Sequence, residues 1–134
     1  LGIAQQAQAM ACKYANERFA FGAKLADHQA IQFMIADNDL EIEAARCLIQ
    51  HAAMLLDADH ADDTASRIAA SRAKLYASEM GCRVADRALQ IFGGMGYMCE
   101  LPLERFYRDA RAFRIGEGTS EMQRIQIARH ALST

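Results

Sequence analysis

Apolar residues recur at helical spacing along almost the whole chain. From Leu1 to about Arg18, Ile3, Ala7, Met10 and Tyr14 fall on one face, and Gly22 closes this element with the loop Phe21-Gly22-Ala23-Lys24. Asp27 is placed to cap a second helix running to about Asp57, some 45 Å at roughly 1.5 Å per residue. It carries two stripes: Ile31, Ile35, Ile42, Ile49 and Leu56, and Met34, Leu40, Ala44, Leu48 and Leu55. The polar stretch from Asp57 to Asp63 reads as a turn between antiparallel helices. A third helix, about Thr64 to Phe92, is again doubly striped, with Ile68, Leu75, Cys82 and Leu89 at sevens and Ala73, Tyr76, Met80, Val84 and Ile91 beside them.

Gly93-Gly94-Met95-Gly96-Tyr97 breaks that helix. Pro102 suits the first turn of a short fourth one, with Leu103, Phe106, Tyr107 and Ala110 facing inward. A last helix spans about Ser120 to Leu132, with Ser120 and Gln123 matching a capping box. No strand pattern competes. The expected fold is all-α, an up-and-down four-helix-type bundle with an additional short helix, in one domain over 1–134. Two stripes on each long helix predict that subunits or further domains complete the burial.

Composition narrows this. Hydrophobic residues are 52%, charged residues 24% and the net charge −2, which argues against a nucleic-acid binder. No apolar run approaches the roughly 20 residues of a membrane span. Cys12, Cys47, Cys82 and Cys99 form no CxxC pair, so free thiols in a reducing compartment are expected, with Cys82 in the core. A carboxylate-bridged di-metal site would want Glu-x-x-His pairs, and there are none; the acidic turn lacks the glycine and terminal glutamate of a calcium loop. His28, His51, His60 and His130 show no ligand spacing.

Chemistry concentrates in Arg114-Ile-Gly-Glu-Gly-Thr-Ser-Glu-Met-Gln-Arg124. Glu117 stands between Gly116 and Gly118, which allow positive φ and close approach of a ligand, just ahead of a helix start. The same stretch also fits a loop whose acid merely complements the helix dipole. Three glycines after Gln90-Ile-Phe bring backbone N–H groups within reach of an anion, or simply end a helix. In Glu17-Arg18-Phe-Ala-Phe21-Gly22 a guanidinium can fork onto phosphate and Phe21 can lie against a planar ring.

Together, Glu17-Arg18…Phe21-Gly22, His28-Gln29-Ala-Ile-Gln-Phe33, Gln90-Ile-Phe-Gly-Gly-Met-Gly-Tyr97, Arg108-Asp109-Ala110 and Glu117-Gly-Thr-Ser-Glu-Met-Gln-Arg124 resemble the C-terminal helical domain of the FAD-dependent acyl-CoA dehydrogenases, over essentially the whole chain. The resemblance implies oxidation of the α–β bond of an acyl-CoA thioester, with electrons passed to electron-transferring flavoprotein. It makes Glu117 the base for the α-proton, its N–H supporting the thioester oxygen, with Gly116 and Gly118 beside the substrate. Arg18, Phe21, Gln29, Gln90, Gly93 and Gly94 match positions touching FAD, largely that of a neighbouring subunit. Thr119 and Glu121 match contacts to the FAD of the same subunit. The implied assembly is a homo-oligomer, dimer or tetramer, built through the bundle, in a bacterial cytoplasm or a mitochondrial matrix.

Two residues depart from the family pattern. Gly116 stands where tyrosine is frequent, which opens space for a branched, cyclic or otherwise bulky acyl group. Ala20 replaces a hydroxyl residue of some relatives, removing a polar contact to FAD. The N-terminal helical and middle β domains of complete members have no counterpart here, so the chain alone is expected neither to hold FAD tightly nor to turn over. A non-catalytic helical oligomerisation module and an acyl-CoA oxidase domain are the competing readings.

Overall fold

The computed structural model describes residues 1–58 and 64–133. Most of the acidic turn, including Asp59, His60, Asp62 and Asp63, lies outside the described residues. The order is α1 (Gly2–Glu17), a minimal hairpin of β1 (Phe19–Ala20) and β2 (Ala23–Lys24), a 3-10 turn (Leu25–Asp27), α2 (Gln29–Leu56), α3 (Thr64–Phe92), α4 (Gly94–Tyr97), α5 (Leu103–Ala112) and α6 (Ser120–Leu132). The expected all-α bundle is found. The hairpin was not anticipated: Phe19 pairs with Lys24 and Ala20 with Ala23, turned by Phe21 and Gly22 at φ +54° and +83°. Two-residue strands are too short to leave an alternating pattern.

Helix α3 is the axis, touching α1, α2, α4, α5 and α6. On it Ala73, Met80, Val84 and Ile91 are buried as expected. Of the stripe at sevens only Ile68 is buried, while Leu75, Cys82 and Leu89 are half-buried. A strict seven-residue repeat drifts by about 20° per heptad on a straight helix, so it rotates out of the core. Cys82 is therefore not a core residue.

Helix α1 buries Ala4, Ala7, Ala11 and Ala15, with Ile3, Met10 and Tyr14 flanking them. Small side chains let two helices approach closely, so the line of contact runs along the alanines rather than the larger residues. Helix α2 runs antiparallel to α3: Glu41 meets Arg83 and Arg87, while Ala52 packs with Ala69 and Ala73. Buried Asn38 joins three helices, donating to Gln8 Oε1 (3.0 Å) and accepting from Arg87 (3.2 Å). Of the α2 stripes, Ile42 is buried, but Leu40 and Leu56 are exposed, as is Phe33. Tyr107, expected inward on α5, is also exposed.

Cap residues differ from expectation as well. His28, not Asp27, precedes α2, its ring nitrogen 3.1 Å from the Ala20 carbonyl. No side-chain cap bond forms there.

Candidate active site

Residues 113–119 connect α5 to α6. The end of α5 unwinds through turns closed by Ile115 and Gly116 N–H onto Ala112 O (3.0 and 2.9 Å), and Ser120 N–H reaches back to Arg114 O (3.0 Å). Within that closure Glu117 has φ +52° and Gly118 φ +88°. Positive φ falls on the acid itself and on Gly118; Gly116 does not have it. Gly118 is favoured by its positive φ, and an added Cβ would in addition displace the Gln123 amide, whose Nε2 would lie 2.7 Å away.

Helix α6 spans Ser120–Leu132 as expected, but Ser120 is not its cap. Thr119 is the N-cap and its hydroxyl accepts from Met122 N–H (3.3 Å). Ser120 is buried in the first turn against Glu79. Glu121, exposed, is held below the ordinary carboxylate value by its own backbone N–H and the Thr119 hydroxyl.

A cleft of about 580 Å3 opens beside this loop. Glu117 and Gly116 line it, with Ile3 and Ala4 of α1, Ala77 and Gly81 of α3, and Phe113 after α5. Gly118 is not among the lining residues. Volume and mostly apolar walls suit a small-molecule chain with one reactive polar group. A Cβ at Gly116 would meet only Ala112 O, at 3.5 Å. The glycine therefore leaves room in the cleft without being demanded by the chain's own packing.

The remaining candidate residues gather where α1 and α3 finish and α2 begins, away from the Glu117 loop, which packs against the middle of α3. Tyr14 and Phe92 stack at 4.1 Å, tying the end of α1 to the end of α3. That places Arg18, Phe21, Gln29, Gln90, Gly93 and Gly94 at one end, about 21 Å of helix from Ala4 at roughly 1.5 Å per residue. Phe21 is 96% exposed, edge-on to His28. Arg18 and both amide side chains are exposed, and nothing lies within 4 Å of a Cβ built at Gly93 or Gly94. An exposed guanidinium, a bare aromatic ring, two amides and open backbone fit a nucleotide-bearing cofactor such as FAD. Gly96 differs: its Cβ would meet Leu89 O at 2.8 Å, so it serves close packing, and its N–H is taken by Gly93 O.

Sequence reasoning missed what holds the 113–119 loop. Lys74 Nζ donates to Gly118 O (2.6 Å), and Arg114 and Arg124 both pair with Glu79 (3.1 and 3.4 Å). These partners are some 35 to 45 residues apart in the chain, which leaves no local signal. A second, smaller concavity of about 280 Å3 holds Cys82, Arg83, Asp86 and Arg111, and burial pushes the Cys82 thiol up despite the arginines.

Comparison with known proteins agrees with this architecture. The family described as "Acyl-CoA dehydrogenase, C-terminal domain" matches residues 1–132. Short-chain specific acyl-CoA dehydrogenase of Rattus norvegicus, named as mitochondrial, is 51% identical over 132 residues, covering 98% of this chain and 31% of that protein. The caffeyl-CoA reductase-Etf complex subunit CarC of Acetobacterium woodii is 47% identical, over 96% of this chain and 33% of that one. The butyryl-CoA dehydrogenase structure from Megasphaera elsdenii superposes with a TM-score of 0.91 at 40% identity, covering 98% of this chain and 33% of that chain. The chain thus spans about a third of the length of these relatives. With one family matched across nearly every residue and the same helical order in three dimensions, the chain belongs to the acyl-CoA dehydrogenase family, as its C-terminal domain.

Proposed function

We propose that this chain is the base-bearing part of an enzyme that α,β-dehydrogenates acyl-CoA thioesters. The observation that carries the reading is Glu117, a carboxylate standing in the wall of the cleft on a loop the chain itself holds in a left-handed conformation. The family is flavin-dependent; FAD, when bound, supplies the acceptor for the hydride that leaves the β-carbon. Glu117 takes the α-proton, and the electron pair of that C–H bond becomes the new α–β double bond. Among the described residues no backbone carbonyl accepts the Glu117 N–H, which leaves it for the thioester oxygen. Gly116 and Gly118 keep side chains away from the base on either side. Retention of an acid in a conformation that disfavours it favours this reading over a pure oligomerisation module.

Where α1 and α3 finish, Arg18, Phe21, Gln29, Gln90, Gly93 and Gly94 hold FAD, while Thr119 and Glu121 meet FAD beside the base. Two separate FAD-facing groups on one bundle are served most simply by two cofactors shared between subunits. Exposed Phe33, Leu40 and Met54 on α2 supply apolar surface for such a homo-oligomer, dimer or tetramer. Electron-transferring flavoprotein is the proposed acceptor, in keeping with a relative named as part of an Etf complex. The compartment is a bacterial cytoplasm or a mitochondrial matrix; no helix among the described residues is long and apolar enough to cross a membrane. The remaining two thirds of the relatives' length supplies the rest of the flavin and substrate site, so the isolated chain should neither hold FAD tightly nor turn over.

The space left by Gly116 suits a branched or cyclic acyl group. Anaerobic titration of the full-length, flavin-loaded protein with a panel of acyl-CoAs tests both parts of the reading. Bleaching of the flavin by acyl-CoAs, with branched or cyclic ones at least as fast as short straight ones, is expected. No bleaching by any of them contradicts the activity, and strict preference for short straight chains contradicts the role given to Gly116.

A further inference from the structure

We propose that Glu79 is a positioning residue for Glu117, its carboxylate on α3 gripping the base loop from both sides. The inference rests on the reading of Glu117 as the base. A residue with a Cβ adopts φ +52° only where its surroundings hold it there, and two left-handed residues in succession ask for more than one restraint. The restraints are visible. Arg114, three residues before the base, places Nε 3.1 Å from Glu79 Oε1, and Arg124, seven residues after it, places Nη2 3.4 Å from the same oxygen. The Arg114 contact is an ion pair without hydrogen-bond geometry, Ser120 is buried alongside with its Oγ unpaired, and Lys74, from the same helix, donates to the Gly118 carbonyl at 2.6 Å. The loop is pinned at its entry, its exit and its centre to a single helix.

Position and charge suit Glu79 for this. Its side chain is only 15% exposed and Arg114 is 33% exposed, whereas Arg124, at 53%, faces water and its pair is the more screened. Burial pushes its carboxyl up, but Ser120, Arg114 and Arg124 together outweigh that and hold it below the ordinary value. Replacing Glu79 with a neutral amide leaves two guanidiniums without their anion and frees both ends of the loop. Proton transfer is sensitive to such a shift, since about 1 Å of misplacement can cost on the order of 100-fold in rate.

The test uses the full-length, flavin-loaded protein and the substitution Glu79→Gln. Expected are a fall in kcat of about 10- to 100-fold, a KM within about twofold, and unchanged flavin content. A larger kinetic isotope effect from α-deuterated acyl-CoA is also expected, as proton removal becomes the slower step. Glu79→Asp should recover part of the loss. A purely structural role would lower Tm and flavin content but leave the isotope effect of the folded enzyme as it was, and that result overturns the proposal. So does a kcat within about twofold of the parent. Should Glu79→Gln not fold, Arg114→Gln, at the partly exposed edge of the clamp, decides by the same isotope effect with a smaller rate loss expected. Glu117→Gln, run in parallel, separates two failures: activity surviving it removes the base, whereas activity lost there but intact in the Glu79 variant removes only the clamp.

Discussion

Two regions along α3 are built in different ways. Beside its middle, around Glu117, the chain braces itself: a loop of unfavourable backbone conformation is tied down by Lys74, Glu79, Arg114, Arg124 and a threonine cap. Where α3 ends, Arg18, Phe21, Gln90, Gly93 and Gly94 stand open to solvent, with a phenylalanine ring almost wholly bare. Internal bracing suits a group that must be aimed within a fraction of an ångström. Bare aromatic and guanidinium groups instead lower the free energy of a complex, and do little for the fold until something covers them. The contrast separates residues that act from residues that receive.

Substitutions at matched glycines should break this contrast most sharply if it is mistaken. Gly118→Ala sets a Cβ at φ +88° and 2.7 Å from Gln123 Nε2. It should lower kcat about 100-fold and stability by about 1–2 kcal/mol, read by steady-state turnover and thermal unfolding of the full-length protein. Gly94→Ala meets nothing within 4 Å and has no positive φ, so Tm should not move measurably. Next in size is the receiving end. Phe21→Ala should weaken flavin binding about tenfold, or ~1.4 kcal/mol, in a flavin titration. Tm of the flavin-free protein should stay put, because the ring is 96% exposed. A marked loss of that Tm would mean that this end, too, is part of the chain's own packing.

The smallest effect is on acid stability. Glu79 and Glu121 both have folded values below the ordinary 4.5, so the unfolded chain takes up protons first. Their stabilisation is complete above that pH and is lost as pH falls through the folded values. Chemical denaturation at a series of pH values from 6 downward, with roughly one-unit steps, should show a slope below about 4.5 that Glu79→Gln reduces.

The helices were legible because their apolar periods are long and uninterrupted, and Gly22, Gly93 and Pro102 punctuate them. The Glu117 loop stood out in the sequence through its glycines and the helix start behind it. What escaped the sequence shares one cause: contacts across the fold chose between locally equivalent options. Ser120 with Gln123 fits the capping-box pattern better than Thr119 with Met122, yet Ser120 is buried and Thr119 takes the cap. Ile3, Ala7, Met10 and Tyr14 looked like the face of α1, yet of these only Ala7 is buried, because the alanines allowed closer approach to α3. Asn38, polar in the middle of α2, gave no hint of burial because its partners Gln8 and Arg87 lie 30 and 49 residues away. The grip of Glu79 on the loop belongs to the same class.

The central claim is that Glu117 removes the proton. Anaerobic stopped-flow mixing of the full-length, flavin-loaded Glu117→Gln variant with an acyl-CoA that bleaches the parent tests it most directly. Flavin reduction slowed by about 10²- to 10⁴-fold, with acyl-CoA still bound, is the predicted result. Bleaching at the parent's rate would contradict the account.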